Sequence, residues 1–190
     1  MAASSKGIGK MIALLLALCA GLLAWMKFGL DPEFQRLSGA GSFLDVRLSG
    51  YDAESVVAMA TALSDPARAE ARDLLRFMYL GPDLVLPLAV TLALSLLMRG
   101  FAPGAVLYGR RLEMRHVRLL CLLPLAYGLV DYTENVGFLI YFPPATPGDW
   151  LARNLPDILP WITRVKLILV SVSSILVVRL AFFGKGASKR

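Results

Sequence analysis

The chain has 190 residues, 57% of them hydrophobic, with a mean hydropathy of +0.63 and a formal net charge of +6. A water-soluble domain of this length is far more polar, so the composition points to a membrane protein built as one compact unit over 1–190. The basic residues sit at the ends of apolar runs with no aromatic platform between them, which argues for topology and anionic lipid and against nucleic acid as a partner.

The first apolar segment runs from about 8 to 30, centred on MIALLLALCAGLLAWM. Its apolar run is longer than a signal-peptide core and no A-x-A-like site follows, so a retained helix is expected. An outer loop, about 31–76, comes next and is too long to be structureless. Within it, SFLDVRLSGYD alternates apolar and polar residues, the pattern of a short strand. Asp52 with Ser55 resembles an N-cap for a following helix, and Ser64 or Asp65 caps a second one that takes Pro66 in its first turn. The charges of that second helix suit an interfacial position.

A second apolar segment covers about 77–98, a third 117–142 and a fourth 158–183. Each reaches the roughly 20 residues that a bilayer requires. The segment between the second and third carries Arg99, Arg110, Arg111, Arg115 and Arg118 against Glu113 alone. Lys6 and Lys10 precede the first span, and Lys185, Lys189 and Arg190 follow the last. The positive-inside bias then predicts an all-α, four-helix transmembrane bundle with both termini cytoplasmic, as in a bacterial inner-membrane protein. Trp25, Tyr79, Tyr141, Trp150 and Trp161 fall near the outer boundaries, where amphipathic rings favour the headgroup region. Pro82, Pro87 and Pro124 fall inside spans, where neighbouring helices can satisfy the freed carbonyls.

The third span is interrupted by LVDYTENVGF. Spacings of three and four place Tyr127, Asp131, Glu134, Asn135 and Phe138 on one helix face. That face cannot meet lipid, because a carboxylate at a helix centre costs about 2.5–3.5 kcal/mol even on lenient insertion scales. Two acids at i and i+3 also repel, so either one keeps a proton at neutral pH or a cation stands between them. Candidate partners are Asp83 in the second span and Arg164 and Lys166 in the fourth. Counting helical rise from the outer ends places Asp83, Arg164 and Lys166 at roughly 5–10 Å, Glu134 at about 12 Å and Asp131 at about 16 Å. Arg164 and Lys166 lie on nearly opposite faces. Arg164 is the expected inward member, for its bidentate bond to a carboxylate, and the other would snorkel.

Other chemistries lack their residues. Cys19 and Cys121 stand alone in apolar runs, and His116 is the single histidine. A disulfide relay, a bis-histidine haem and a histidine-rich zinc site are therefore excluded, and no cofactor or metal is expected. No phosphate loop, HExxH or GxSxG is present.

FLDVRLSGYD, GPDLVLP and DYTEN together resemble a mostly uncharacterised family of small four-span membrane proteins. The positions that carry the resemblance are Asp45, Arg47, Gly50, Tyr51, Asp83, Asp131, Glu134 and Asn135. The layout is also similar in topology to the EXPERA group of sterol isomerases and sigma-2-type receptors. That similarity implies a lipid-binding cavity faced by acids, although the histidine–glutamate pairing of the isomerases is missing.

Three functions fit these residues. The chain could bind an amphiphilic or lipid-like molecule through Tyr127, Asp83, Asp131, Glu134, Asn135, Arg164 and Lys166. It could be an enzyme using Asp131, Glu134 and Asp83 for acid–base chemistry on a lipid-like substrate. Or it could be an assembly subunit in which the same groups only fix helix register. Membrane lipids are the expected partners, and a homo-oligomer is compatible with each reading.

Overall fold

The computed structural model describes residues 2–47, 50–102, 105–107 and 110–183. Leu48 and the basic tail with Lys185, Lys189 and Arg190 lie outside the described residues. The chain is helical almost throughout. Its elements are α1 (Ala2–Trp25), α2 (Asp31–Ser38), α3 (Ala53–Leu63), α4 (Ala69–Leu80), α5 (Pro82–Phe101), α6 (Met114–Leu120), α7 (Leu122–Tyr141) and α8 (Asp149–Phe183). A two-residue antiparallel ladder, Val106 opposite Arg111, joins α5 to α6.

Three helical stretches, Gly7–Ser38, Pro66–Phe101 and Asp149–Phe182, are long and apolar enough to cross a membrane. Their outward faces are apolar: Leu14, Phe28, Ile168 and Phe182 are all well exposed. α7 has 20 residues, a length that also reaches across a bilayer. It packs against α5 on one side and α8 on the other, while α1 lies along α5.

Two glycines let α7 come close. A Cβ on Gly128 would stand 2.6 Å from the Thr91 hydroxyl of α5, and one on Gly137 would stand 2.8 Å from Leu159 of α8. Pro87 removes the N–H that would bond the Asp83 carbonyl, and Asn135 of α7 donates its amide to that carbonyl instead, at 3.1 Å. A proline in α5 thus creates the acceptor that fixes the height of α7.

The segment after the first span differs from expectation. It does not stop at residue 30. A π-helical turn, Met26–Leu30, carries the helix into α2, which begins Asp31-Pro32 and ends at Gly39 with φ +61°. The expected strand is absent over the described part, Phe43–Arg47. Phe43 and Leu44 are both fully buried, which strand alternation forbids, and turns close from Val46 N to Phe43 O and from Arg47 N to Leu44 O. Asp31 holds this bend by accepting from Phe43 N at 2.9 Å, and the Phe34 and Phe43 rings stack at 4.1 Å. The two loop helices form as expected: Asp52 accepts from Ser55 N and Asp65 from Ala67 N, each at 2.9 Å.

α4 and α5 meet at Gly81, where a Cβ would lie 2.7 Å from the Phe77 carbonyl. α8 starts at Asp149, earlier than residue 158, and runs through Pro156 and Pro160. Tyr79 departs from the aromatic belt. It is 1% exposed and stacks on Phe138 at 5.1 Å, whereas Trp150 and Trp161 are 63% exposed.

Candidate functional site

The polar face of α7 is buried against α5, α8 and the α2–α3 connection. Asp131, Glu134 and Asn135 are at most 3% exposed, and Asp83, in the first turn of α5, is 1% exposed. Lys166 of α8 stands at the centre. Its ammonium contacts the carboxylates of Asp45, Asp131 (3.1 Å) and Glu134. Its hydrogen bond goes to Asp45 Oδ1, and Asp131 and Glu134 are held as ion pairs.

This corrects the expected inward residue. Arg164 is exposed, with its guanidinium 4.7 Å over the Trp161 ring. A planar fork serves one carboxylate at a time, whereas a compact ammonium on a slender stem can meet three that converge from different elements.

Two residues of the α2–α3 connection complete the cluster. Asp45 turns down onto Lys166. The Tyr51 hydroxyl lies 2.6 Å from Thr163 Oγ1 and donates to Glu134 Oε1 at 3.1 Å. Thr163 also contacts Glu134 Oε1, and its hydroxyl reaches the Leu159 carbonyl at 3.1 Å. Burial, reinforced by the Glu134 carboxylate, pushes the Tyr51 phenol well above its ordinary range. The rings of Tyr79, Phe138 and Phe142 stack on one another in the adjoining core.

The charges do not balance. Three carboxylates face one ammonium, and Asp83 adds a fourth within electrostatic reach. Asp83 Oδ2, Asp131 Oδ2, Glu134 Oε2 and Asn135 Oδ1 are buried without a hydrogen-bond donor, and the Tyr79 hydroxyl is buried without a partner. The cluster therefore holds more acceptors than its one ammonium serves. Among the described residues no group of three or more His, Cys, Asp or Glu side chains is disposed to hold a metal ion.

Two cavities reach the cluster. One, of about 420 Å³, lies between the α2–α3 connection and α8 and is lined by Tyr51, Thr163, Asp52, Ser55 and Arg164. The other, of about 590 Å³, is a largely apolar groove walled by Leu23, Met26, Val46 and Leu86, and the charged Lys27, Asp45 and Arg47 line it too.

Of the residues singled out from sequence, Asp83, Asp131, Glu134, Asn135 and Lys166 gather here. Tyr127 is buried on the same α7 face, one turn below Asp131, and Arg164 lines the first cavity from its rim. Asp45, Tyr51, Thr163 and Tyr79 were not among the expected site residues. Asp45 and Tyr51 did stand in the segments that carry the family resemblance; Thr163 and Tyr79 had no such signal.

A buried, acid-rich centre within a bundle of apolar helices defines the class: a protein with membrane-span-like helices and a polar interior. No known protein family, curated protein or solved structure matches the chain.

Proposed function

We propose that this chain is an integral membrane protein of four spans, with α7 as the third and both termini cytoplasmic, that binds the polar end of a lipid-like or amphiphilic molecule at the Lys166 cluster. The bacterial inner membrane is the expected location, with the α2–α3 connection facing outward. The observation that carries the reading is the apolar groove beside Asp45. A groove with four apolar side chains ending on a buried ionic cluster suits a ligand with an apolar body and a polar head.

The test uses the full chain purified in detergent, with native mass spectrometry of co-purifying lipid and thermal unfolding. Glu134→Gln and Asp131→Asn are expected to change the bound lipid while the protein stays folded. Leu86→Trp, which fills the groove, is expected to reduce bound lipid without touching the cluster. Loss of stability in the acid variants with unchanged lipid would instead favour an assembly subunit. Acid–base catalysis on the bound molecule is the second reading, favoured by the contacting polar side chains from Tyr51 to Asp45.

A further inference from the structure

The two cavities are connected through the protein by side chains in continuous contact. Tyr51 and Thr163 line the polar cavity, which also holds the exposed Asp52 and Arg164. Their hydroxyls meet each other at 2.6 Å, and both reach Glu134 Oε1. The other oxygen of Glu134 contacts the Lys166 ammonium, which contacts Asp45 Oδ1. Asp45 lines the apolar groove. One end of this chain therefore opens on polar surface and the other on an apolar compartment.

We infer that Tyr51, Thr163, Glu134, Lys166 and Asp45 form a proton-transfer chain between the polar cavity and the molecule held in the apolar groove. The recipient rests on the amphiphile-binding reading above; the chain itself does not. The Tyr51 and Thr163 hydroxyls both give and accept, Glu134 and Asp45 accept as carboxylates and give as acids, and the Lys166 ammonium accepts only after one of its own protons has left. Thr163 has a second acceptor in the Leu159 carbonyl at 3.1 Å, so its hydroxyl has two directions in which to point. Asp131, on Lys166 at 3.1 Å, and Asp83 lie off the chain, as do the Tyr79 and Tyr127 hydroxyls.

The transfer balances. Water in the polar cavity gives up a proton as the Tyr51 and Thr163 hydroxyl protons shift toward Glu134. Glu134 takes this proton on Oε1, Lys166 gives one of its own to Asp45, and the Glu134 carboxyl then turns to pass its proton to the amine so formed. The Asp45 carboxyl then gives its proton to a basic atom of the molecule in the groove. Hydroxide is left in the polar cavity, and all five side chains return to their starting states. Removal of a proton from the molecule is the reverse sequence.

The full chain in detergent is moved into D₂O, and the infrared carbonyl bands of protonated carboxyls are followed, assigned with Asp45→Asn and Glu134→Gln. Tyr51→Phe with Thr163→Val, which removes both hydroxyls that reach Glu134, is expected to slow deuterium exchange at the Glu134 band roughly tenfold or more, and Tyr51→Phe with Thr163→Ser to restore it. Wild-type exchange in the first double variant, or no protonated band from Asp45 or Glu134, would overturn the chain. Dicyclohexylcarbodiimide, an apolar reagent for protonated carboxyls, provides a check on the unaltered protein. Entering through the groove that Asp45 lines, it is expected to modify Asp45, and no modification there defeats the assignment. If Leu86→Trp leaves bound lipid unchanged while exchange still depends on Tyr51 and Thr163, the ligand reading fails and the proton chain stands.

Discussion

The two ends of the helix bundle bury different things. Toward the α5–α6 connection the core is Met98, Ala102, Val117, Val177 and Leu180, with Ser173 as the buried polar residue nearby. Toward the α2–α3 connection the same helices bury Asp83, Asp131, Glu134, Asn135, Thr163 and Lys166. α5 and α8 run through both ends, so neither helix geometry nor packing density demands ions in one half. Among the described residues the α5–α6 end buries mainly apolar side chains, and the ionic end departs from that pattern. Its desolvation cost is offset there by Lys166 and by the strap that folds down from α2–α3.

That contrast can be broken by substitution. Lys166→Met leaves three contacting carboxylates without their cation and is expected to cost about 3–5 kcal/mol in detergent unfolding. Adding Glu134→Gln is expected to recover part of that loss, since the two residues are directly coupled. Met98→Ala at the apolar end, fully buried, is expected to cost about 2 kcal/mol through cavity formation. If it cost more than Lys166→Met, the ionic end would not be the sensitive one.

Arg164→Ala, two positions from Lys166, removes an exposed cation–π contact and is expected to cost about 0.5–1 kcal/mol. An effect as large as that of Lys166→Met would restore Arg164 as an inward residue. The smallest effect concerns pH at the rim. Bonds from the Ser55 hydroxyl and N–H hold the Asp52 carboxyl below its ordinary 3.8. Its cap is therefore complete above that value and is lost as pH falls through the lowered one. Asp52→Asn keeps a capping side chain that does not titrate, so acid unfolding curves of the variant are expected to lack this contribution.

Sequence periodicity located the face of α7, because spacings of three and four are local and helical. It could not choose between Arg164 and Lys166, which depends on how many acids converge on the centre. Nor could it bring in Asp45 and Tyr51, whose partners lie 121 and 83 residues away in the chain. The alternation around Phe43 looked like a strand, but both Phe43 and Leu44 are buried in a bend held by Asp31. The expected span edges near 30 and 158 are not helix ends. Pro32 instead opens α2 after a π-turn, and Pro156 and Pro160 sit inside α8.

The polar residues of α7 also bear on how the chain is made. By composition α7 is the long helix that falls outside the three span-like stretches, and the cation for its acids is on α8, which is synthesised after it. On the four-span reading, α7 cannot settle in lipid alone. The ion pairs from Asp131 and Glu134 to Lys166 join consecutive helices, so on that reading α7 would meet lipid more favourably paired with α8 as a hairpin than by itself.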